Sequence, residues 1–204
     1  MAWTKTKTAI VIGASALLAA GTVTTILCNL AWPLRSIPTD WTVIDGDSEQ
    51  WRWANGKINA HSDTGETILA SGKDYRDVTL SVIANSTNRE ASLVFRLQDA
   101  NNGYFVIFAP PGTPRDDAGR IFLVKRTGGN DVTLAAYQGR VFSTIGSSAK
   151  ISVTARGPEI DIYLKDARVL RVKDTTFHTG LIGLRIFGDP DSPCDATYAN
   201  VTFH

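Results

Sequence analysis

Arg96 lies inside "ASLVFRLQDANNGYFVIFAP" (91–110), among Leu93, Val94, Phe95 and Leu97, in a run that is apolar on both faces. An unpaired buried guanidinium is costly, so Arg96 requires a carboxylate, a set of carbonyls or a wet groove beside it. Two roles fit. One is a structural network, with Asp99 or Asp117 as partner. The other is a ligand donor, because a guanidinium presents several N–H groups in a fixed fork suited to oxygen-rich ligands. Further polar groups stand at strand ends or inside apolar strands: Asn101, Asn102, Lys125 and Arg185. Tyr104 opens the partner strand. Arg96, Tyr104, Lys125 and Arg185 are expected to point into one groove, with Asn102 completing the ligand-binding set.

The carboxylates raise a second chemistry. Glu159 and Asp161, in "EIDIY", are two apart and share a strand face, with Cα atoms roughly 7 Å apart. Retaining glycoside hydrolysis needs two carboxyl groups about 5–5.5 Å apart, so the pair is geometrically conceivable. The same stretch also reads as two strands around a "KDA" turn with its acids in solvent, and no catalytic residue is assigned. "GDPDSPCD" supplies Asp189, Asp191 and Asp195, a loop set of the kind calcium uses. Asp-Pro turns occur for conformational reasons alone, and no cofactor is expected. His61, His178 and His204 lack metal-ligand spacing. The serines lack a nucleophile-elbow context, and there is no glycine-rich phosphate loop.

These residues must be held by strands. From Trp41 onward no segment keeps a helical period. "DVTLSVIA" (77–84), "AKISVTA" (149–155), "EIDIYL" (159–164) and "LIGLRIF" (181–187) alternate at period two. Further strands are expected at 51–54, 58–61, 66–70, 91–97, 104–109, 120–126, 132–138, 168–172 and 196–203. Turn signals fill the gaps: "NNG", "GGND", "RGP" and "GDPDSP". Regularly spaced short strands of this kind predict an all-β fold, a two-sheet antiparallel sandwich or barrel. Several strands are apolar on both faces, which requires a second cover or a groove. Trp51 and Trp53 share a strand face and suit a core or a stacking platform.

The N-terminal region is a separate object. Lys5 and Lys7 precede an uncharged run that lasts until Arg35, long enough to cross a bilayer, which takes roughly 20 residues. The lysines place the N-terminus in the cytoplasm and the following domain outside it. Residues 1–32 are therefore expected to form a transmembrane or signal helix, 33–40 a proline-containing linker and 41–204 the β-domain. A retained anchor is favoured, and a cleaved signal peptide cut before Thr22 is the alternative; a buried core helix fits the length and flanks less well. A lipid on Cys28 is disfavoured because Leu27 is not small. Cys28 and Cys194 form neither a disulfide framework nor a zinc pattern. The chain of 204 residues has 21 basic and 20 acidic groups. That balance gives no field for nucleic acid, which is not expected as a partner.

The order of motifs carries a resemblance. A "DG…W" entry (Asp45, Gly46, Trp51) precedes "NGKINA", "YRDVTLSV", "LVFRLQDANNGYFVIF" and "LVKR". "AKISVTARGPEIDIYLKDARVL", "GLIGLRIF" and "CDATYANVTF" follow. Residues 40–204 resemble the concanavalin A-like lectin/glucanase superfamily, in particular laminin-G-like jelly rolls and the 3-keto-disaccharide hydrolase-type domains. The resemblance implies a jelly-roll sandwich, a fold that often binds carbohydrate on its concave face or loop rim; for such a ligand the aromatic ring of Tyr104 can stack on the apolar face of a sugar. In one glucanase branch a glutamate follows "E-I-D-x" as acid/base, and the first glutamate is the nucleophile. Here that last position is Tyr163, which argues against that activity. The expected function is an exported, membrane-anchored carbohydrate-binding domain without catalysis. A glycan-processing enzyme of the 3-keto-disaccharide hydrolase type and a protein-binding adhesion module are the alternatives. The location follows from the N-terminus: membrane-anchored with the domain outside the cytoplasm, or secreted after cleavage.

Overall fold

A computed structural model describes residues 40–110, 119–144 and 146–204. The span and linker expected before residue 40 lie outside the described residues, as does Asp117. Among the described residues no helix is long and apolar enough to cross a membrane. The fold is all-β, as the alternation requires.

Among the described residues fourteen strands form it: β1 Trp41–Asp45, β2 Trp51–Ala54, β3 Lys57–Ser62, β4 Gly65–Ser71, β5 Val78–Thr87, β6 Ala91–Asp99 and β7 Asn102–Phe108; then β8 Ile121–Thr127, β9 Asn130–Tyr137, β10 Ala149–Arg156, β11 Glu159–Leu164, β12 Ala167–Lys173, β13 Leu181–Gly188 and β14 Cys194–Phe203. β1 is additional to the strands the alternation predicts. One short 3-10 turn, Ser48–Gln50, is capped by Asp47. The first sheet runs β1-β4-β13-β6-β7-β8-β9 and the second β12-β11-β10-β5-β14-β3-β2. All pairings are antiparallel.

The inner faces meet in one core. Leu80, Val82, Ile151, Val153, Ile160 and Ile162 of the second sheet pack there with Leu93, Phe95, Val106, Leu123, Leu184 and Ile186 of the first. Trp51 is buried and its Nε1 donates to Thr67 Oγ1 at 2.7 Å, while Trp53 packs on the same core. Neither tryptophan is a stacking platform on the outside. Cys194 is a buried free thiol whose pKa burial pushes up to about 11.

The two sheets differ on their outer faces. The first carries a second buried apolar set: Ile68, Ala70, Val94, Leu97, Phe105 and Val124. This is why its strands read as apolar on both faces. The second sheet is largely polar outside, because most of its alternate positions are serines, threonines and charged residues, with Ile83 and Tyr163 among them.

Candidate functional site

The residues nominated by sequence fall in two places. Arg96 sits at a break in the β6–β7 register, with φ 48°. Its side chain is fully buried. Nε and Nη2 donate to the Arg76 carbonyl at 3.2 and 3.0 Å. Nη2 also donates to the Gly157 carbonyl at 2.7 Å, and Nη1 to the Phe177 carbonyl at 3.1 Å. Among the described residues Asp77, not Asp99, is the nearest carboxylate, at 3.8 Å. Asp99 instead accepts from the Asn101 backbone and the Asn102 side chain, closing the hairpin turn. Arg96 is therefore a clamp from the first sheet onto three segments bordering the strands of the second.

Tyr104 and Lys125 lie beside it and converge on one acid. The Tyr104 hydroxyl donates to Asp174 Oδ1 at 2.5 Å, and Lys125 Nζ donates to Asp174 Oδ2 at 2.8 Å and to Thr176 at 2.9 Å. Burial and the Asp174 contact push the Tyr104 pKa up to about 12. Burial alone would raise Asp174, but hydrogen bonds from Lys125, Tyr104 and Thr176 outweigh it and hold this carboxyl well below the usual range.

Arg185 is elsewhere, on the outer face of the first sheet. Its Nε donates to Glu66 and its Nη1 to Ser92 at 3.3 Å. Arg126 donates to the other Glu66 oxygen and lies over the Phe105 ring, 4.5 Å from the centroid. Burial opposes ionisation of Glu66, yet Arg185 and Arg126 hold its pKa below the ordinary value. The single groove expected for Arg96, Tyr104, Lys125 and Arg185 is thus not what the fold builds. The register break at Arg96 turns its side chain inward, while strand alternation sends Arg185 out.

The open surface is on the second sheet. A groove of about 610 Å³ runs over the outer faces of β14, β5, β10 and β11. Its floor is a cross-strand row. Thr202 stands opposite Ser81, Ser81 opposite Ser152, and Ser152 opposite Tyr163. Ser152 Oγ donates to Ser81 Oγ at 2.8 Å, and one row along, the Thr79 and Thr154 hydroxyls are 3.1 Å apart. A bulge in β14 puts Asn200, at φ 50°, into the groove wall. Lys150 and Asp166 pair at 2.6 Å on the rim. Volumes of about 300–1,000 Å³ are usual for small-molecule sites. The sequence shows these hydroxyls only as alternate positions of separate strands; nothing in their spacing says that they become neighbours.

A smaller hollow of about 220 Å³ adjoins the groove, sharing Thr154 and Tyr163 with it and adding Arg156, Glu159, Asp161 and Arg171. Asp161 is almost buried, and Arg171 grips both its oxygens, at 2.6 and 2.7 Å. Those bonds keep the Asp161 pKa below its ordinary value, against burial. Glu159 pairs with Lys173 at 3.3 Å. An acid held ionised in this way is a poor proton donor near neutral pH. The acids of the 189–195 loop are divided: Asp189 pairs with Arg89 and Asp195 with His61. Among the described residues no group of three or more His, Cys, Asp or Glu side chains could hold a metal.

The chain matches no family model and no curated protein. Solved structures do match. The carbohydrate binding module CBM66 from Bacillus subtilis is 23% identical with a TM-score of 0.68, over 84% of this chain and 99% of that one. The chain has the two-sheet jelly-roll fold of these structures. A native glycosidic hydrolase shares this jelly roll at 15% identity and TM-score 0.62, over 79% and 88% of the two chains. The Emp46p carbohydrate recognition domain, in its metal-free form, does so at 12% and 0.57, over 78% and 87%.

Proposed function

We propose that this jelly roll is a non-catalytic carbohydrate-binding domain and that its binding surface is the groove on the outer face of the second sheet. The observation that carries the reading is the hydroxyl row from Thr202 through Ser81 and Ser152, ending at the aromatic ring of Tyr163. Hydroxyls both donate and accept, so they can exchange hydrogen bonds with sugar hydroxyls of either orientation. An aromatic side chain adds an apolar body with a polar tip, which suits the mixed surface of a sugar ring. The likeness in fold to a carbohydrate binding module and to a carbohydrate recognition domain supports the same reading. Asp161, locked by Arg171, favours binding over acid–base catalysis. The lysine-flanked apolar run near the N-terminus supports display of the domain at a membrane, outside the cytoplasm.

A glycan array with the full chain tests this. Wild type should retain at least one glycan, and Tyr163→Ala should bind it about tenfold more weakly, about 1.4 kcal/mol, with an unchanged melting temperature. Retention unaffected by Tyr163→Ala and by Ser152→Ala would remove the groove from the reading. An array with no retained glycan would remove carbohydrate binding itself.

A further inference from the structure

The hollow next to the groove differs from it in charge. The groove proper is nearly neutral, with Lys150 matched to Asp166. Around the hollow, Arg156, Arg168, Arg171 and Lys173 face two carboxylates, Asp161 and Glu159. Asp161 is almost buried and spends both oxygens on Arg171, with Arg168 at 3.7 Å as well. Its interaction with Arg156 is only Coulombic, and the Arg156 side chain, on the strand position opposite Glu159, makes no hydrogen bond to a described residue. Arg168 and Arg171 are each 47% exposed, so their remaining N–H groups reach solvent. Within the lining Arg156 and Arg171 balance Glu159 and Asp161; with Arg168 and Lys173 beside it, two net positive charges stand next to the hydroxyl row, in the cross-strand rows adjoining Tyr163. Arg171 is also pre-set, because its carboxylate pair fixes the guanidinium plane and lowers the cost of ordering it on a ligand.

We infer that this hollow is an anion subsite, so that the ligand of the groove is an acidic saccharide. It rests on the proposed function above. The uncharged part of the chain lies over Thr202, Ser81 and Ser152, and a carboxylate or sulfate on a neighbouring unit enters between Arg156 and Arg171. From β14 to β11 the row crosses three inter-strand steps, about 14 Å, so the site takes an oligosaccharide. Thr154 and Tyr163 belong to both hollows and join the neutral part of the site to the charged part.

Affinity electrophoresis of the full chain through gels containing matched polymers tests this. The pairs are polygalacturonate with its methyl ester, and dextran sulfate with dextran; the two arms separate carboxylate from sulfate. Expected is retardation by at least one charged member and not by its neutral counterpart. Arg156→Gln should weaken that binding about tenfold, while Arg52→Gln, the same charge change in a separate hollow across the sheet, leaves it unchanged. Arg171→Lys, which keeps the charge beside Asp161, serves as the second variant and should weaken binding less than Arg156→Gln. Equal loss from Arg156→Gln and Arg52→Gln would reduce the effect to general attraction and overturn the subsite. Equal retardation by charged and neutral members, still lost in Tyr163→Ala, would overturn the subsite and keep the carbohydrate reading. No retardation in any gel, together with an empty glycan array, would overturn both.

Discussion

Arg96 shows how a charged side chain survives inside a greasy ribbon. Its partners are main-chain oxygens 20, 61 and 81 residues away in the chain. Backbone carbonyls have no signature in the side-chain sequence, so composition and spacing reveal that Arg96 needs partners and not which ones. The physical role that follows is mechanical. Arg96→Ala strands three part-buried carbonyls, and a fully buried unsatisfied group costs about 1–3 kcal/mol. Some water reaches a sandwich end, so the expected net loss is about 3 kcal/mol, read as a lower urea midpoint with an unchanged m-value. Glycan binding by the folded fraction should be unaltered. A variant of full stability would show that the clamp contributes nothing.

At the level of elements, the hairpins were the most legible part. Asn55–Gly56 and Gly128–Gly129 take positive φ at both turn positions, as the type I′ two-residue hairpin requires. Lys165 and Asp166 do the same without glycine, at φ 49° and 68°. Less legible was the segment that docks one sheet on the other. Gly180 pairs with Tyr75 in an isolated bridge, with φ 146°. A Cβ there would lie 2.5 Å from the Arg96 carbonyl carbon. Gly180→Ala should therefore cost about 3 kcal/mol. Gly128→Ala, at φ 55° with open space around it, should cost only the left-handed backbone penalty, about 1 kcal/mol. Paired thermal melts give both values; equal losses would mean that the close approach at Gly180 is unimportant.

Ionised acids tie the described fold together at three separate places: Asp174 between Tyr104 and Lys125, Glu66 on the outer face of the first sheet and Asp161 on the outer face of the second. Asp174, Glu66 and Asp161 all have depressed pKa values in the fold. Such groups contribute stability that is full above their unfolded pKa, about 4, and is lost as pH falls from there through the folded value. Urea midpoints should therefore agree at about pH 7 and 5 and drop at about pH 3. Asp174→Asn should lower the midpoint at pH 7 by the equivalent of about 2 kcal/mol, and this deficit should shrink at pH 3. A deficit constant across the range would mean that Asp174 acts through packing and not through charge.

Period-two alternation and turn residues determined the strand class and most strand positions, because side-chain direction in a strand depends only on local geometry. They also required partners for Arg96 and exposed the doubly apolar strands. Which residues meet was decided by sheet order and register. Those place β5 between β10 and β14, making one surface of Thr202, Ser81, Ser152 and Tyr163, and they send Arg96 and Arg185 to opposite sides of one sheet. Long-range pairing is a collective outcome of burial and backbone hydrogen bonding across the whole chain, so no single segment encodes it.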